Sequence, residues 1–565
     1  MKILGIWDGH DAGAAVIEGD KILFAANEER FTRRKLEIAF PVRSIQACLE
    51  GSGTPRDEIS HISVSTWDFS KTLARVFPSL REEYYLLRRR KKRPGRASFL
   101  KKRFKYRLTE YPPTDLTKWI SSRNVRNHLN RLGFRNFRLH LEDHHLCHAA
   151  TAAFCSGFDR ALVITLDGLG DGLSGSISRY EGGALERIAS LSARHSLGIF
   201  FEHVTNLMNM RELEDEGKVM ALANYAYPVD DAENPILDLI RVEGLAVRCR
   251  HSSLGMYEAL KKILWRYPSE QFAYMAQRTL EVKCSQLIQN AVTATGLDHI
   301  CLSGGVFSNV KMNRLLRVLP QVKRCFVFPH MGDGGLALGA ALAANHRLYG
   351  IHDIPLNNPF LGPEYPVKEI ETVLRESGYS YKKSRDITKE VAEIIAGGEV
   401  VLWFQGRMEL GPRALGGRSI LARPDSDAIK DALNLQLKKR VWYQPFCPSM
   451  LEEDAREILE DYDGRPNGFM TMAYLVRGDR MNVVRGVINR DGSCRPQILS
   501  RKGSLLGELL EKIRNLTGHG VLLNTSFNLH GEPVVCSPRD ALETMGLTGS
   551  TFMAIGDFLV RRRDE

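Results

Sequence analysis

Short apolar runs separated by polar loops and turns open the chain. Residues 2–7 form a first run, residues 8–11 interrupt it with acids and a histidine, and residues 14–17 and 22–26 form two further runs. Runs of this length between turn residues predict a strand, an acidic loop and a β-hairpin. The same order of run, acidic glycine loop and hairpin recurs in residues 161–190. The pattern therefore predicts an internal repeat of one supersecondary unit.

An aspartate ends the first predicted strand of each copy. This duplicated arrangement is typical of α/β, two-lobed ATP-binding folds of the actin, sugar kinase and Hsp70 type. Glycines in such loops let backbone N–H groups approach phosphate, while the acids handle a metal ion or water. We therefore expect nucleotide contacts in the second loop from Asp167, Gly168 and Gly170.

Two histidines lie four residues apart in the alanine-rich stretch EDHHLCHAATAAF. His144 and His148 would share one face of a helix, and side chains at i and i+4 can reach a single cation. The alternative is a pair of hydrogen-bonded histidines at a helix start. A metal site needs a third ligand, and Asp333 qualifies because it follows a predicted strand and precedes a helix rich in small residues. The sequence therefore predicts a metal site of His144, His148 and Asp333.

Two further glycine loops precede predicted helices, in the stretches EGKVMALA and CLSGGVFSNVKMN. A glycine turn that opens a helix is a plausible phosphate site, because the helix N-terminus adds partial positive charge. An ordinary tight turn is the alternative. The candidate nucleotide-binding residues in these loops are Glu216, Gly217, Lys218, Gly304, Gly305 and Asn309.

Four prolines crowd residues 351–366, a composition typical of a linker. The linker divides the chain into an N-terminal domain of residues 1–350 and a C-terminal domain of residues 367–565. In the second domain, residues 387–396 predict a helix between the strand-like stretches GYSYKKS and EVVLWFQG. This mixture indicates an α+β domain.

The densest polar cluster is the loop GRMELGPRALGGRSILARP, which carries four arginines among glycines. Guanidinium groups bind phosphate and carboxylate in a bidentate manner, so the loop predicts an anion site. The alternative is a set of surface ion pairs. The polar candidates in and after this loop are Arg413, Arg418, Lys438, Lys439, Arg440, Arg495, Asn524, Ser526 and Asn528.

Length and composition fit a soluble enzyme of several domains. A chain of 565 residues is too long for one ordinary core. No apolar run reaches about eighteen residues, and the start MKILGIWDGH lacks the basic segment and cleavage site of a signal peptide. The ten cysteines include no C-x-x-C pair, so neither a zinc ribbon nor a disulfide framework is indicated. We expect a soluble cytoplasmic protein with reduced cysteines and no transmembrane segment.

The net charge of +11 comes from one segment. Residues 88–107 contain twelve lysines and arginines and no acid, so the rest of the chain is close to neutral. Such a segment can hold an anionic polymer, an acidic carrier protein or a membrane surface. The alternative is a solvated insertion, which is the usual role of a charge run.

The motifs taken together resemble one family. The stretches HHLCHA, DGLGDG, EGKVMALA, SGGVFSN, GDGGLALGAAL, GPRALGGRSI, PFCPSM, DGSCRPQ and NTSFN, in this order, are similar to those of the O-carbamoyltransferases that act on nodulation factors and aminoglycosides. The resemblance covers essentially the whole chain. It implies an actin-like N-terminal domain akin to the tRNA threonylcarbamoyladenosine transferase and a C-terminal domain akin to threonylcarbamoyl-AMP synthase.

The resemblance also implies a reaction. ATP, with Mg²⁺, and carbamoyl phosphate would form carbamoyl-adenylate in the C-terminal domain. The carbamoyl group would then pass, at an N-terminal site that holds iron in this family, to a hydroxyl group of a small-molecule acceptor. The sequence leaves the acceptor and the oligomeric state open.

Individual residues match the family's functional positions. The metal ligands correspond to His144, His148 and Asp333, and the acceptor-side pair to His10 and Asp11, of which His10 is the candidate base. The residues at positions that hold carbamoyl phosphate or the adenylate are Arg413, Arg418, Lys439, Arg495 and Ser526. Three positions depart from the family pattern, namely Gly417 in place of Asn, Gln444 in place of Arg and Asn489 in place of His.

Three other functions remain open on the sequence alone. A tRNA-modifying threonylcarbamoyl-type transferase would use residues 88–107 to dock nucleic acid, although this is not the favoured interpretation. A small-molecule kinase could use the same actin-like fold, but it would not need an arginine-rich C-terminal domain. A binding protein that uses ATP without chemistry is the third.

Overall fold

The chain forms two compact units in the computed structural model, which describes residues 1–93, 95, 108–465 and 467–562. Unit 1 comprises Met1–Glu28 and Leu36–Asn357, and unit 2 comprises Glu29–Lys35 and Asn358–Glu565. Residues 351–366 contain no helix or strand. All ten cysteines are described and have free thiols. None of the helices within the described ranges is long and apolar enough to cross a membrane.

The first sheet of unit 1 is built from the apolar runs that open the chain. Its strands are β1 (Lys2–Trp7), β2 (Gly13–Glu18), β3 (Lys21–Asn27), β4 (Ile59–Ser65) and β5 (Arg138–Glu142). The strand order is β3-β2-β1-β4-β5. β1 and β2 are antiparallel, as are β2 and β3, whereas β4 pairs in parallel with both β1 and β5. The predicted strand and hairpin are confirmed.

The second sheet repeats this arrangement. The next strands are β6 (Arg160–Gly170), β7 (Leu173–Glu181), β8 (Ala184–Ser192), the separate hairpin of β9 (Ile240–Glu243) and β10 (Ala246–Cys249), then β11 (His299–Ser303) and β12 (Arg324–Val327). The sheet order is β12-β11-β6-β7-β8. An antiparallel hairpin again precedes two parallel strands, with β11 between β6 and β12. This repeated topology confirms the predicted duplication and gives unit 1 its actin-like fold.

Small residues let one helix of unit 1 approach the first sheet. The helices are Val42–Gly51, Phe69–Val76, Pro78–Arg88, Asp115–Arg131, His144–Phe154, Leu197–Leu207, Glu216–Leu222, Ser253–Leu264, Ser269–Thr295, Val310–Arg317 and Leu336–Tyr349. A Cβ on Gly5 of β1 would lie 1.9 Å from the carbonyl oxygen of Ala337, and a Cβ on Gly339 would lie 2.3 Å from that of Cys147. The helix Leu336–Tyr349 therefore packs backbone to backbone against β1 and the helix His144–Phe154, which brings the preceding Asp333 close to the histidines.

Unit 2 is built around a mixed sheet of eight strands. Its strands are β13 (Ser380–Lys383), β14 (Val401–Phe404), β15 (Arg418–Ala422), β16 (Cys447–Leu451), β17 (Tyr474–Leu475), β18 (Ser493–Cys494), β19 (Gln497–Leu499), β20 (Val521–Ser526), β21 (Phe552–Ile555) and β22 (Phe558–Arg561). The order is β13-β22-β21-β14-β15-β20-β16-β19, and β17 and β18 pair separately. The helices are Glu29–Thr32, Val367–Glu376, Ile387–Ala396, Asp427–Ala432, Glu452–Ile458, Leu505–Thr517 and Pro538–Thr548. β14, VLWF, is buried along its whole length, as expected for a central strand.

A short segment from the start of the chain completes unit 2. Arg30 of Glu29–Lys35 donates to the backbone oxygen of Gly411 at 2.9 Å, and Arg33 donates to that of Val534 at 2.7 Å. Phe31 packs against a buried cluster that includes Val534. Nothing in the sequence predicts that these residues belong to unit 2.

Candidate metal centre and anion site

The helix His144–Phe154 carries the predicted histidine pair into the interior of unit 1. The carboxylate of Asp143 accepts a backbone hydrogen bond at 2.8 Å and caps the helix, which fixes where it begins. His144 and His148 consequently lie one turn apart on the same face, and both are buried. Gly170 leaves room for the first imidazole, because a Cβ there would lie 2.2 Å from the ring of His144.

Two carboxylates converge on these imidazoles. Asp167 Oδ2 lies 3.2 Å from His144 Nε2 and 3.9 Å from His148 Nε2. Asp333 Oδ1 lies 3.7 Å and 3.6 Å from the same two nitrogens. One potential ligand atom from each of the four residues lies within 4.8 Å of all the others. The structure therefore brings the three predicted metal residues together and adds Asp167, which the sequence assigned to nucleotide binding.

Hydroxyl groups orient both imidazoles. Thr66 Oγ1 lies 3.0 Å from His144 Nδ1, and Ser303 Oγ lies 3.2 Å from His148 Nδ1. These contacts leave the Nε2 atoms facing the carboxylates, which is how outer hydrogen bonds orient histidine ligands in metal sites.

Two of the converging atoms have no hydrogen-bond partner among the residues that the structure describes. His148 Nε2 and Asp333 Oδ1 are both buried and unpaired. Burial of such polar atoms is costly unless something satisfies them. Two imidazole nitrogens and two carboxylate oxygens form a donor set that suits a divalent transition metal such as zinc or iron. The residues present therefore fit a metal ion.

The electrostatics of the cluster also fit a cation. Burial alone would lower the pKa of His144, but the carboxylates of Asp333 and Asp167 raise it to about 9. Burial lowers the pKa of His148 to about 3, and burial raises the pKa of Asp333 to about 6. The two carboxylates thus hold a proton on one imidazole, and a divalent cation would take the place of that proton.

The predicted acceptor-side pair lies next to this centre. His10 Nδ1 is 3.4 Å from Asp333 Oδ2, and the imidazole is partly exposed. Asp11 Oδ2 is 3.7 Å from Nε2 of His330, which in turn lies 2.9 Å from Asn27 Oδ1. Sequence reasoning missed His330, although its position three residues before Asp333 was a usable signal.

The glycine loops of the second sheet shape the Asp167 carboxylate. Gly304 has φ +104°, and a Cβ there would lie 2.2 Å from the carbonyl oxygen of Leu166. The N–H of Gly305 donates to Asp167 Oδ1 at 2.9 Å. Gly168 faces Glu202, whose carboxylate would lie 3.3 Å from an added Cβ. One of the predicted nucleotide glycines, Gly305, therefore binds a carboxylate of the candidate metal centre, and Gly304 allows the close backbone approach beside it.

The EGKVMALA motif begins a short helix and is satisfied locally. Glu216 accepts a backbone hydrogen bond at 2.7 Å, and burial raises its pKa to about 8. Lys218 pairs with Asp215 at 2.8 Å, whereas Gly217 is exposed. These contacts hold the loop together.

The remaining predicted nucleotide residue of unit 1 borders a cleft. Asn309 caps the helix Val310–Arg317 and donates to Gln277 at 2.7 Å. Gln277 lines a polar cleft of about 570 Å³. The other lining residues are Ala223, Val229, Asp230, Asp231, Tyr274, Arg278, Glu281 and Lys311.

Three arginines gather around one thiol in unit 2. Arg495 donates from Nε and Nη2 to Cys447 Sγ at 3.1 and 2.8 Å. Burial, with Arg495 nearby, lowers the pKa of Arg413 to about 9, and burial lowers that of Arg440 to about 10. No carboxylate among the described residues forms an ion pair with any of the three. The cluster is therefore a partly buried cationic site suited to an anion.

The lysine that reaches the polar end of β20 is Lys438. Its Nζ contacts Ser526 and donates to the backbone oxygen and Oδ1 of Asn528 at 2.8 and 2.9 Å. The predicted Lys439 has φ +50° and is exposed. Asn524 is buried and donates to two protein oxygens.

Arg418 is arranged differently from the other predicted arginines. It is fully buried, donates to the backbone oxygens of Gln405 and Gly417 at 2.9 and 3.0 Å, and stacks on Phe404 at 3.6 Å. Its N–H groups therefore organise the loop. Gly417 also fits this packing, because a Cβ there would lie 2.6 Å from the carboxylate of Glu409.

The start of the basic segment is paired with acids. Arg88 donates to Glu202 and Glu212, and Arg89 pairs with Glu214. The expectation of a solvated segment is therefore wrong for these two arginines. It agrees with the exposed Lys91, Lys92 and Arg93. Residues 94 and 96–107 lie outside the described residues.

Comparison with known families accounts for most of the chain. Residues 2–342 match the family described as Carbamoyltransferase N-terminus, and residues 392–562 match Carbamoyltransferase C-terminus. The resemblance read from the motifs is confirmed.

Individual relatives cover nearly the full length. An uncharacterised protein of Methanocaldococcus jannaschii is 33% identical over 99% of both chains. The nodulation protein NolNO of Sinorhizobium fredii is 31% identical over 98% of this chain and 79% of its own length.

Solved structures show only distant likeness. Component A of the (R)-2-hydroxyglutaryl-CoA dehydratase of Acidaminococcus fermentans is 14% identical, with a TM-score of 0.35, over 61% of this chain and 98% of that one. HypF of T. kodakarensis is 14% identical, also with a TM-score of 0.35, over 62% and 48%.

Proposed function

The chain belongs to the carbamoyltransferase family, and from this membership we propose that it is an ATP-dependent O-carbamoyltransferase. In the proposed reaction, water hydrolyses carbamoyl phosphate to carbamate and phosphate, and a carbamate oxygen then attacks the α-phosphorus of ATP to give carbamoyl-adenylate with release of pyrophosphate. The carbamoyl group then passes to an acceptor hydroxyl and AMP leaves. The coarser conclusion, that the chain is a carbamoyl-transferring enzyme, follows from the family alone.

The arginine cluster of unit 2 supports adenylate formation there. The arginines Arg413, Arg440 and Arg495 would neutralise the phosphate charge of carbamoyl phosphate and ATP, since no carboxylate in the described part of the chain forms an ion pair with them. Lys438 would place a further hydrogen-bond donor at the hydroxyl and amide groups of Ser526 and Asn528. Mg²⁺ would accompany the triphosphate.

The histidine and aspartate cluster supports transfer in unit 1. A divalent metal would be held by His144, His148, Asp167 and Asp333. The family resemblance implies that this metal is iron. Such an ion acts as a Lewis acid toward a carbonyl when bound. Burial of these side chains also keeps water away from a carbamoyl-adenylate that would otherwise hydrolyse.

His10 is the proposed base. Its Nδ1 faces Asp333 Oδ2 at 3.4 Å, which orients the ring beside the candidate metal centre for proton transfer. The acceptor oxygen would bond to the carbamoyl carbon, the bond from that carbon to the adenylate oxygen would break, and the hydroxyl proton would move to the imidazole of His10. The single observation that carries the transfer assignment is the convergence of four buried ligand atoms with two of them unpaired.

A pyrophosphate assay on the full chain tests the proposal. We expect pyrophosphate release that requires both ATP and carbamoyl phosphate and that Arg495→Ala abolishes. Arg501→Ala, which alters an exposed arginine of the same unit, is the matched control and should retain release. Release of ADP without carbamoyl phosphate would instead identify a kinase.

A further inference from the structure

A buried cationic cluster lies beside the candidate metal centre and takes no part in the proposed chemistry. Asp8 is its only described carboxylate partner, and Arg75 binds both oxygens of Asp8 at 2.9 Å. Lys71 Nζ lies 2.8 Å from Asp8 Oδ1. Burial alone would raise the pKa of Asp8, but Arg75 and Lys71 hold it below its ordinary value. One carboxylate thus neutralises one of these two cations.

A third cation acts on this cluster and forms no ion pair with any carboxylate of the described residues. Arg81 is only 8% exposed, and its Nη1 is buried without a hydrogen bond. Burial lowers its pKa, and Asp8 and Arg75 are the charged groups that act on it. Three cations around one carboxylate leave an excess of two positive charges. An uncompensated buried charge is strongly destabilising, so such a group needs an anion from elsewhere.

Lys71 connects the cluster to the metal centre. Its Nζ lies 4.1 Å from the centre of the Trp7 ring, and it retains a small exposed surface. The same Trp7 ring is 5.9 Å from the ring of His144 and 6.5 Å from that of His10, centre to centre. Arg75 is fully used by Asp8 and two backbone oxygens. Lys71 and Arg81 are therefore the cations that remain available.

We propose that Lys71 and Arg81 bind a phosphate group carried by the acceptor, so that the enzyme carbamoylates a hydroxyl group of a phosphorylated compound. The inference rests on the proposed function, whose acceptor it specifies. An excess of two positive charges matches a phosphate dianion, and a buried guanidinium binds phosphate in a bidentate manner.

The position of the cluster favours the acceptor over the donor. Lys71, Arg75 and Arg81 belong to the helices Phe69–Val76 and Pro78–Arg88, inserted after β4 in the first copy of the repeat. The proposed base also belongs to that copy. The loops for which the sequence predicts nucleotide contacts belong to the second copy, so the two substrates would approach from different sides of the metal centre.

Binding of inorganic phosphate to the full chain tests the site directly. The titration uses the Arg413→Ala, Arg495→Ala background, which removes the competing arginine site of unit 2. Calorimetry should show one phosphate bound, and adding Arg81→Met should weaken it about 10- to 100-fold. Arg123→Met, an exposed arginine on the neighbouring helix, is the matched control and should leave binding unchanged. Equal phosphate affinity with and without Arg81→Met would overturn the proposal.

Thermal stability separates a binding role from a structural one. Without phosphate, Arg81→Met should raise the melting temperature, because it removes a buried charge that has no partner. In the Arg413→Ala, Arg495→Ala background, phosphate should raise the melting temperature of the protein with Arg81 but not of the protein that also carries Arg81→Met. A lower melting temperature for Arg81→Met would mean that the arginine only supports the fold.

Paired acceptors complete the test. With the native chain, hexose phosphates should gain a carbamoyl group in the presence of ATP and carbamoyl phosphate, and the free hexoses should react at least 10-fold more slowly. Equal rates for both would overturn the inference. Absence of carbamoyl-phosphate-dependent pyrophosphate release would instead overturn the proposed function, while the phosphate titration would still report on the site.

Discussion

Asp8 and Asp167 occupy the same position in the two copies of the repeat but have opposite surroundings. Asp8 follows Trp7, which pairs with Gly13, and Asp167 follows Leu166, which pairs with Gly175. Asp167 faces two imidazoles, whereas Asp8 is enclosed by arginine and lysine.

The difference shows that duplication copied a backbone and that the neighbouring elements decide the chemistry. In the first copy, the helix Phe69–Val76 supplies two cations, and they neutralise the acid. In the second copy, the helix His144–Phe154 supplies nitrogen ligands that leave the acid available to a metal. Both acids end the first strand of an actin-like half.

Asp167→Asn should have the largest effect, because it removes a charged ligand of the candidate metal. We expect at least about 100-fold weaker metal binding and loss of carbamoyl transfer with the fold intact. His144→Ala and His148→Ala should do the same. Metal analysis and circular dichroism of the purified variants provide the measurement. Full metal content in all three would remove the centre from the mechanism.

Asp8→Asn should lower the stability of the fold and leave metal binding intact, which is the opposite of the effect expected for Asp167→Asn. It leaves Arg75 and Lys71 buried without their carboxylate, so the free energy of unfolding should fall by about 3–5 kcal/mol while metal content is kept. The pKa of Asp8 lies below its ordinary value, so its contribution to stability is present above about pH 4 and is lost as the pH falls. Chemical denaturation at pH 7 and pH 3 measures the loss of unfolding free energy and its dependence on pH. The difference in unfolding free energy between the variant and the native chain should be smaller at pH 3.

Ser303→Ala tests a smaller effect, the hydrogen bond that orients His148. We expect about 10- to 100-fold weaker metal binding, because the imidazole loses the group that holds its ring in place. Ser190→Ala, on an exposed position of β8, is the control. Indistinguishable metal affinities for the two variants would mean that Ser303 has no role in the site.

Lys438 and Lys439 are adjacent residues of the same type with different surroundings, since Lys438 is buried and Lys439 is exposed. Lys438→Met should reduce carbamoyl-phosphate-dependent pyrophosphate release by about 10-fold, because it removes the hydrogen bond that positions Asn528. Lys439→Met should have the smaller effect, since that side chain is exposed. A larger loss of pyrophosphate release in Lys439→Met would assign the functional role to Lys439 and not to Lys438.

Periodicity and turn residues predicted the repeated hairpins and the histidine helix, because both patterns depend on residues close in sequence. The association of Asp333 with the histidines was also readable, since both border predicted elements. The contacts of Asp8 and Arg418 could not be predicted from the sequence, because they depend on tertiary packing. The basic segment of residues 88–107 likewise did not predict the ion pair between Arg88 and Glu202.

The separation of Glu29–Lys35 from the rest of unit 2 has a consequence for biosynthesis. A ribosome that adds about 5–20 residues per second completes residues 358–562 tens of seconds after it has released this segment. During that interval Arg30 and Arg33 cannot form their hydrogen bonds, because the carbonyl groups of Gly411 and Val534 have not yet been synthesised. The second unit therefore cannot finish folding from its own contiguous sequence, and a gene encoding residues 358–565 alone would lack a part of it that was translated first.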